Sequence, residues 1–74
     1  MRYYKLERTV HDVVVDLERV VCAQVMKSRS DERVIDVMFD NGEHIYAEFY
    51  SVESAIFALN ELMKRLEDYR ENKK

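Results

Sequence analysis

No proline and no tryptophan occur in this 74-residue chain, and Gly42 and Cys22 are the single residues of their kinds. One cysteine excludes an intrachain disulfide and a cysteine-rich zinc site. One glycine excludes a glycine-rich loop that cradles phosphate. There is no polybasic run, so sequence-independent affinity for nucleic acid or anionic lipid should be weak. Apolar runs such as residues 13–15 and 55–58 fall far short of the ~20 residues of a membrane helix. The first residues lead into charge, not into the apolar stretch of a secretory leader. A cytoplasmic protein without a membrane partner is expected. The absence of proline and the single glycine, with dense charge, would suit a thermophile or a compact phage- or virus-encoded protein.

What is present reads as globular: 47% hydrophobic and 36% charged residues, with a net charge of −3. The negative charge lies in the second half, because residues 33–74 carry nine acidic and six basic side chains against six and six before them. A single domain spanning 1–74 is expected, close to the size at which a core alone ceases to suffice. A homodimer interface would help such a chain.

The most legible stretch is a β-hairpin, residues 33–39 and 43–50, followed at once by a helix. Asn41-Gly42 alone would suggest a two-residue type I′ loop. That register sets the apolar face of one strand beside the polar face of the other. A loop of Asp40-Asn41-Gly42 instead pairs Val37 with Ile45, Ile35 with Ala47 and Arg33 with Phe49. Ile35, Val37, Phe39, Ile45, Ala47 and Phe49 then form one face, and a one-residue slip would destroy it. The turn should be type I, with Gly42 left-handed in a bulge.

Ser51 is a good N-cap. Val52, Ala55, Ile56, Leu59, Leu62, Met63, Leu66 and Tyr69 then recur at helical spacing, a stripe expected to cover the hairpin's apolar face. Lys73 and Lys74 suit the negative end of the helix dipole.

The N-terminal third supports two readings. Val10, Val13, Val14, Leu17, Val20 and Val21 have helical spacing, with Thr9 as a cap, which gives a β-α-β-β-α alternative with a helix at about 9–26. Seven valines between positions 10 and 25 favour strands. In the strand reading, residues 13–15 form a short strand that breaks at 16–18, with Leu17 entering the core. A second strand then runs over residues 19–27, with Val21, Ala23 and Val25 on one face and Val20, Cys22, Gln24 and Met26 on the other. Residues 3–8 read as an edge strand and 28–32 as a polar connector. The expected fold class is therefore α+β: an antiparallel meander of three to four strands with one long C-terminal helix packed on one face.

The away face of the hairpin holds the candidate chemistry. Asp36 sits opposite Tyr46 and diagonal to His44 and Glu48, within reach of side chains that lean together. One imidazole and two carboxylates could ligate a metal in a metal-dependent enzyme. Alternation alone places the same residues on an ordinary polar face, and that plainer reading is preferred. Cys22 with His44 or His11 lacks an orienting third group and an oxyanion hole, so Cys22 reads as a small buried hydrophobe. No catalytic residue, metal or cofactor is assigned, and the chain is read as not an enzyme.

The aromatics say more. Tyr46 and Tyr50 share the away face with Met38 and Val34, and with Val20, Cys22 and Met26 of the neighbouring strand. Such a face is too apolar for water alone. Either a partner covers it, or the N-terminal segment with Tyr3, Tyr4, Leu6 and Val10 does. Phe57 is a second candidate anchor, ~160° round the helix from Leu59. Tyrosines on a sheet can also stack bases, giving the alternative of a single-stranded nucleic-acid-binding protein. Asp36 and Glu48 on the same face oppose it. The sequence therefore reads as a non-enzymatic protein–protein interaction module, a small regulator, inhibitor or accessory subunit. Its candidate contacts are Asp36, Met38, His44, Tyr46, Glu48, Tyr50 and Phe57, and its partner is another protein, itself, or both.

Overall fold

A computed structural model of the chain describes residues 2–26 and 33–72. Five strands precede one helix: β1 (Tyr3–Leu6), β2 (Val13–Asp16), β3 (Val20–Val25), β4 (Val34–Phe39), β5 (His44–Glu48) and α1 (Val52–Asn72). β3, β4 and β5 form an antiparallel meander in that order, and β1 pairs with β2 in a separate two-stranded sheet. The α+β architecture expected from the sequence is the one observed, with the N-terminal segment adding a hairpin of its own. The valine-rich region is strand, not helix. The connector expected at 28–32 and the two terminal lysines lie outside the described residues.

The β4–β5 register is the one that the apolar pattern demands: Ile35 opposite Ala47, Asp36 opposite Tyr46 and Val37 opposite Ile45. Phe39 N–H donates to Glu43 C=O at 2.9 Å, and Gly42 N–H donates to Phe39 C=O at 3.0 Å, so the loop is Asp40-Asn41-Gly42. Gly42 is left-handed, with φ 86°. The Asn41 side chain adds a local bond, Oδ1 accepting from Glu43 N–H at 3.0 Å. A Cβ at Gly42 would meet nothing within 4 Å, so alanine there is opposed by backbone conformation alone. Gly42→Ala should cost on the order of 1 kcal/mol, read as a lower urea midpoint with an unchanged slope.

α1 begins where Ser51 places it. Ser51 Oγ accepts from Ser54 N–H at 3.1 Å, satisfying one of the donors left free at a helix start. The buried stripe is Ala55, Ala58, Leu62 and Leu66, with Leu59 and Tyr69 partly covered. Ile56 and Met63, expected in the stripe, are about half exposed, and Ala58 is buried in their place. The face of α1 turned to the core is therefore centred on Ala55, Ala58, Leu62 and Leu66. Arg65 lies over the Tyr4 ring of β1 at 5.5 Å, and burial holds the Tyr4 phenol above its usual range although Arg65 pulls it the other way.

The N-terminal hairpin closes the same core. Leu6, Val15 and Leu17 are buried with Ile35, Val37, Phe39, Ala47, Phe49 and the helix stripe. Arg8, left-handed at φ 64°, turns the chain out of β1 into a bridge between Thr9 and Phe49. Val10 N–H then donates to Glu48 C=O at 2.8 Å, covering the end of β5. After β2, Arg19 N–H closes the turn onto Asp16 C=O at 3.0 Å, and Leu17 enters the core as expected. The Asp16 carboxylate receives both Arg2 Nε and Arg2 Nη2 at 2.9 Å. Those bonds hold it below the usual carboxylate range despite some desolvation.

β3 departs from strict alternation. Val20 pairs with Phe39 and Cys22 with Met38, so Val21 is an extra residue in a β-bulge. The bulge turns Val20 onto the core face, where it is buried, and leaves Val21 half exposed. Val20 thus leaves the outer face on which alternation had placed it, and Val21 leaves the core face.

Candidate binding face

The strand pairings lay out the outer face of the meander as three rows. Cys22, Met38 and His44 form one, and Gln24, Asp36 and Tyr46 the next. The third is Met26, Val34 and Glu48, since Met26 N–H donates to Val34 C=O at 2.9 Å. Tyr50 follows by alternation beyond Phe49. Tyr46 is 58% exposed and Tyr50 70%. Every element that buries the core packs on the opposite side, as the burial of Ile35, Val37, Ala47 and Phe49 shows. Of the two alternatives for this face, a covering by Tyr3, Tyr4, Leu6 and Val10 is not the one observed. Leu6 is buried in the main core, and the hairpin lies beside the helix instead.

Asp36 and His44 meet as the diagonal geometry implied. His44 Nδ1 lies 2.8 Å from Asp36 Oδ1. A carboxylate can only accept, so the imidazole presents its Nδ1–H. The His44 ring lies nearly parallel to Tyr46, with centroids 6.1 Å apart and planes 9° apart. The two contacts fix the imidazole from two sides and hold it beside the phenol. Glu48 does not join them: among the described residues no three His, Cys, Asp or Glu side chains gather as a metal site would need. Cys22 and His44 are separated by Met38, two strand spacings or ~10 Å, too far for a thiol and its base.

Cys22 is exposed, not buried, and stands in the first row of this face. Sequence reasoning placed it there by alternation but read it as a core thiol; a cysteine's usual burial gave way to the face it falls on. Within these three rows Asp36 and Glu48 are the acidic residues and no lysine or arginine stands among them; beyond the first row Arg19 is paired with Asp40 at 3.2 Å. The surface is apolar, aromatic and acidic.

Phe57 belongs elsewhere. It is 46% exposed on α1, and the Arg8 guanidinium covers its ring at 5.1 Å. It borders a shallow groove of about 200 Å³ lined by Tyr4, Glu7, Ala58, Glu61 and Arg65. Helical periodicity marked Phe57 as out of place, but a residue forty-nine positions away in sequence explains it.

No family model matches the chain, and no curated protein or solved structure matches it. Within the described residues, no helix is long and apolar enough to cross a membrane.

Proposed function

We propose that this chain is a non-enzymatic protein-binding module, a small regulator or accessory subunit, acting through the outer face of its three-stranded sheet. The observation that carries the proposal is the exposure of Tyr46 and Tyr50 beside Met38, on the side that neither helix nor hairpin covers. Tyrosine and methionine favour interface cores, and buried aromatic anchors dominate binding energy. The charge selects the partner's chemistry. A segment that alternates aliphatic or aromatic side chains with lysine or arginine would fill the apolar rows and meet Asp36 and Glu48. The same carboxylates repel the phosphates of a nucleic acid.

The test uses labelled peptides that alternate Leu or Phe with Lys, matched acidic peptides, and a single-stranded oligonucleotide, followed by fluorescence anisotropy. Saturable, salt-sensitive binding of the basic peptides is expected, weakened tenfold or more by Tyr46→Ala and by Tyr50→Ala. Binding that is indifferent to both substitutions, or that favours acidic peptides or the oligonucleotide, would remove the reading.

A further inference from the structure

We infer that two copies of this chain pair edge to edge through β3, joining their meanders into one six-stranded antiparallel sheet. β4 is paired on both sides, whereas β3 has no strand partner on its outer edge among the described residues. The end of β5 is covered by Val10, and β1 and β2 carry Lys5 and Asp16. β3 reads Val-Val-Cys-Ala-Gln-Val, without charge or proline, in a chain that is 36% charged. Free edges are ordinarily blunted by such residues, and an uncharged one pairs readily. The bulge at Val21 twists the start of the strand but leaves Cys22 to Val25 regular.

The hydrogen-bond phase defines what the edge offers. Met26 N–H points to Val34, so Cys22, Gln24 and Met26 spend their backbone groups on β4, and Ala23 and Val25 direct theirs outward. At the start of the edge, Val20 C=O is taken by Arg70 Nη2 at 3.3 Å. A second copy rotated about an axis through Gln24 sets Ala23 against Val25 and Val25 against Ala23. Every outward group of both residues is then satisfied, and the interface is self-complementary.

A second observation points the same way. The bond from Arg70 to Val20 shows which flank of α1 overhangs this edge. Met63 and Ile56 lie seven and fourteen residues before Arg70, within ~40° of it round the helix. They are 45% and 48% exposed, with Val21 at 50%. A copy at the edge would cover apolar surface as well as backbone. Charge selects the occupant: uncharged β3 meets itself without like-charge repulsion, whereas the outer face, with Asp36 and Glu48, opposes its own copy. The inference stands apart from the binding reading, and in the dimer the two outer faces lie on one side of the joined sheet.

The experiment measures the solution mass of the full chain by light scattering over a range of concentrations, with a nitroxide on Cys22, its single cysteine, in a parallel sample. A two-chain mass is expected. The two labelled positions should have Cα atoms ~14 Å apart, four residues along paired strands. Val21→Lys, outside the core, and Ala23→Pro, which removes an outward N–H, should each give a one-chain mass with the circular dichroism spectrum retained. Tyr46→Asp should leave the dimer intact. A one-chain wild-type mass at all concentrations overturns the inference. So does a dimer that survives both edge variants, one that dissociates in Tyr46→Asp, or a spin separation beyond ~30 Å.

Discussion

Phe49→Ala is expected to lower the melting temperature by about 15–30 °C, the largest effect of any single large-to-small substitution in the chain. Phe49 is 1% exposed and heads the fully buried side chains by volume. It stands where three parts meet. Its N–H donates to Arg33 C=O at 2.8 Å at the end of the β4–β5 ladder, its backbone bridges to Thr9 of the N-terminal segment, and Ser51 begins the helix two residues later. Truncating a buried phenylalanine costs about 3–5 kcal/mol, because the transfer energy is lost and the cavity is only partly refilled. A chain of this size has on the order of 4–11 kcal/mol of stability in all. Each kcal/mol moves the midpoint by roughly 4–8 °C in a domain this small. Phe57→Ala is the control. Its ring is half exposed and held mainly by Arg8, so the loss should be ~1 kcal/mol or less. Similar melting shifts for the two variants would contradict the core described above.

Leu6→Asp should abolish cooperative folding, while Tyr3→Asp, three residues earlier in the same strand, should change stability by about 0.5 kcal/mol or less. Leu6 is 1% exposed among the core side chains, and Tyr3 is 57% exposed. A carboxylate at position 6 would be buried without a partner, a penalty of several kcal/mol on top of the lost leucine contacts. Thermal melts followed by circular dichroism distinguish the outcomes. A sharp transition in Leu6→Asp near that of the parent chain would mean that the hairpin is an appendage. The comparison bears on the binding face as well: a hairpin committed to the core cannot also cover Tyr46 and Tyr50.

Much of the fold is legible in the residue pattern. Only a loop of Asp40-Asn41-Gly42, not Asn41-Gly42, joins Ile35, Val37 and Phe39 to Ile45, Ala47 and Phe49 on one face. The face of Asp36, His44, Tyr46 and Glu48 follows with it, because a strand's period of two leaves no freedom once one face is buried. Ser51 and the valine-rich strands were legible from capping and β-branched preference. Three features were not. The bulge that reverses Val20 and Val21 has no glycine or other local signature. Which face of α1 turns inward, burying Ala58 and exposing Ile56 and Met63, depends on what packs against each flank, and several stripes fit the same periodicity. Cys22 has the composition of a core residue and the position of a surface one.

The hairpin register, the cap and the polarity of each β4 and β5 position are local consequences of chain geometry, so the sequence by itself determined them. Where the N-terminal hairpin docks is different. Tyr3, Tyr4, Leu6 and Val10 are apolar enough for either side of the sheet, and only tertiary packing distinguishes the two. Leu6, Val15 and Leu17 are buried in one cluster with Ala55 and Ala58 of α1 and with the apolar face of β4 and β5, so the hairpin docks on the helix side. That packing decided that Tyr46 and Tyr50 stay uncovered.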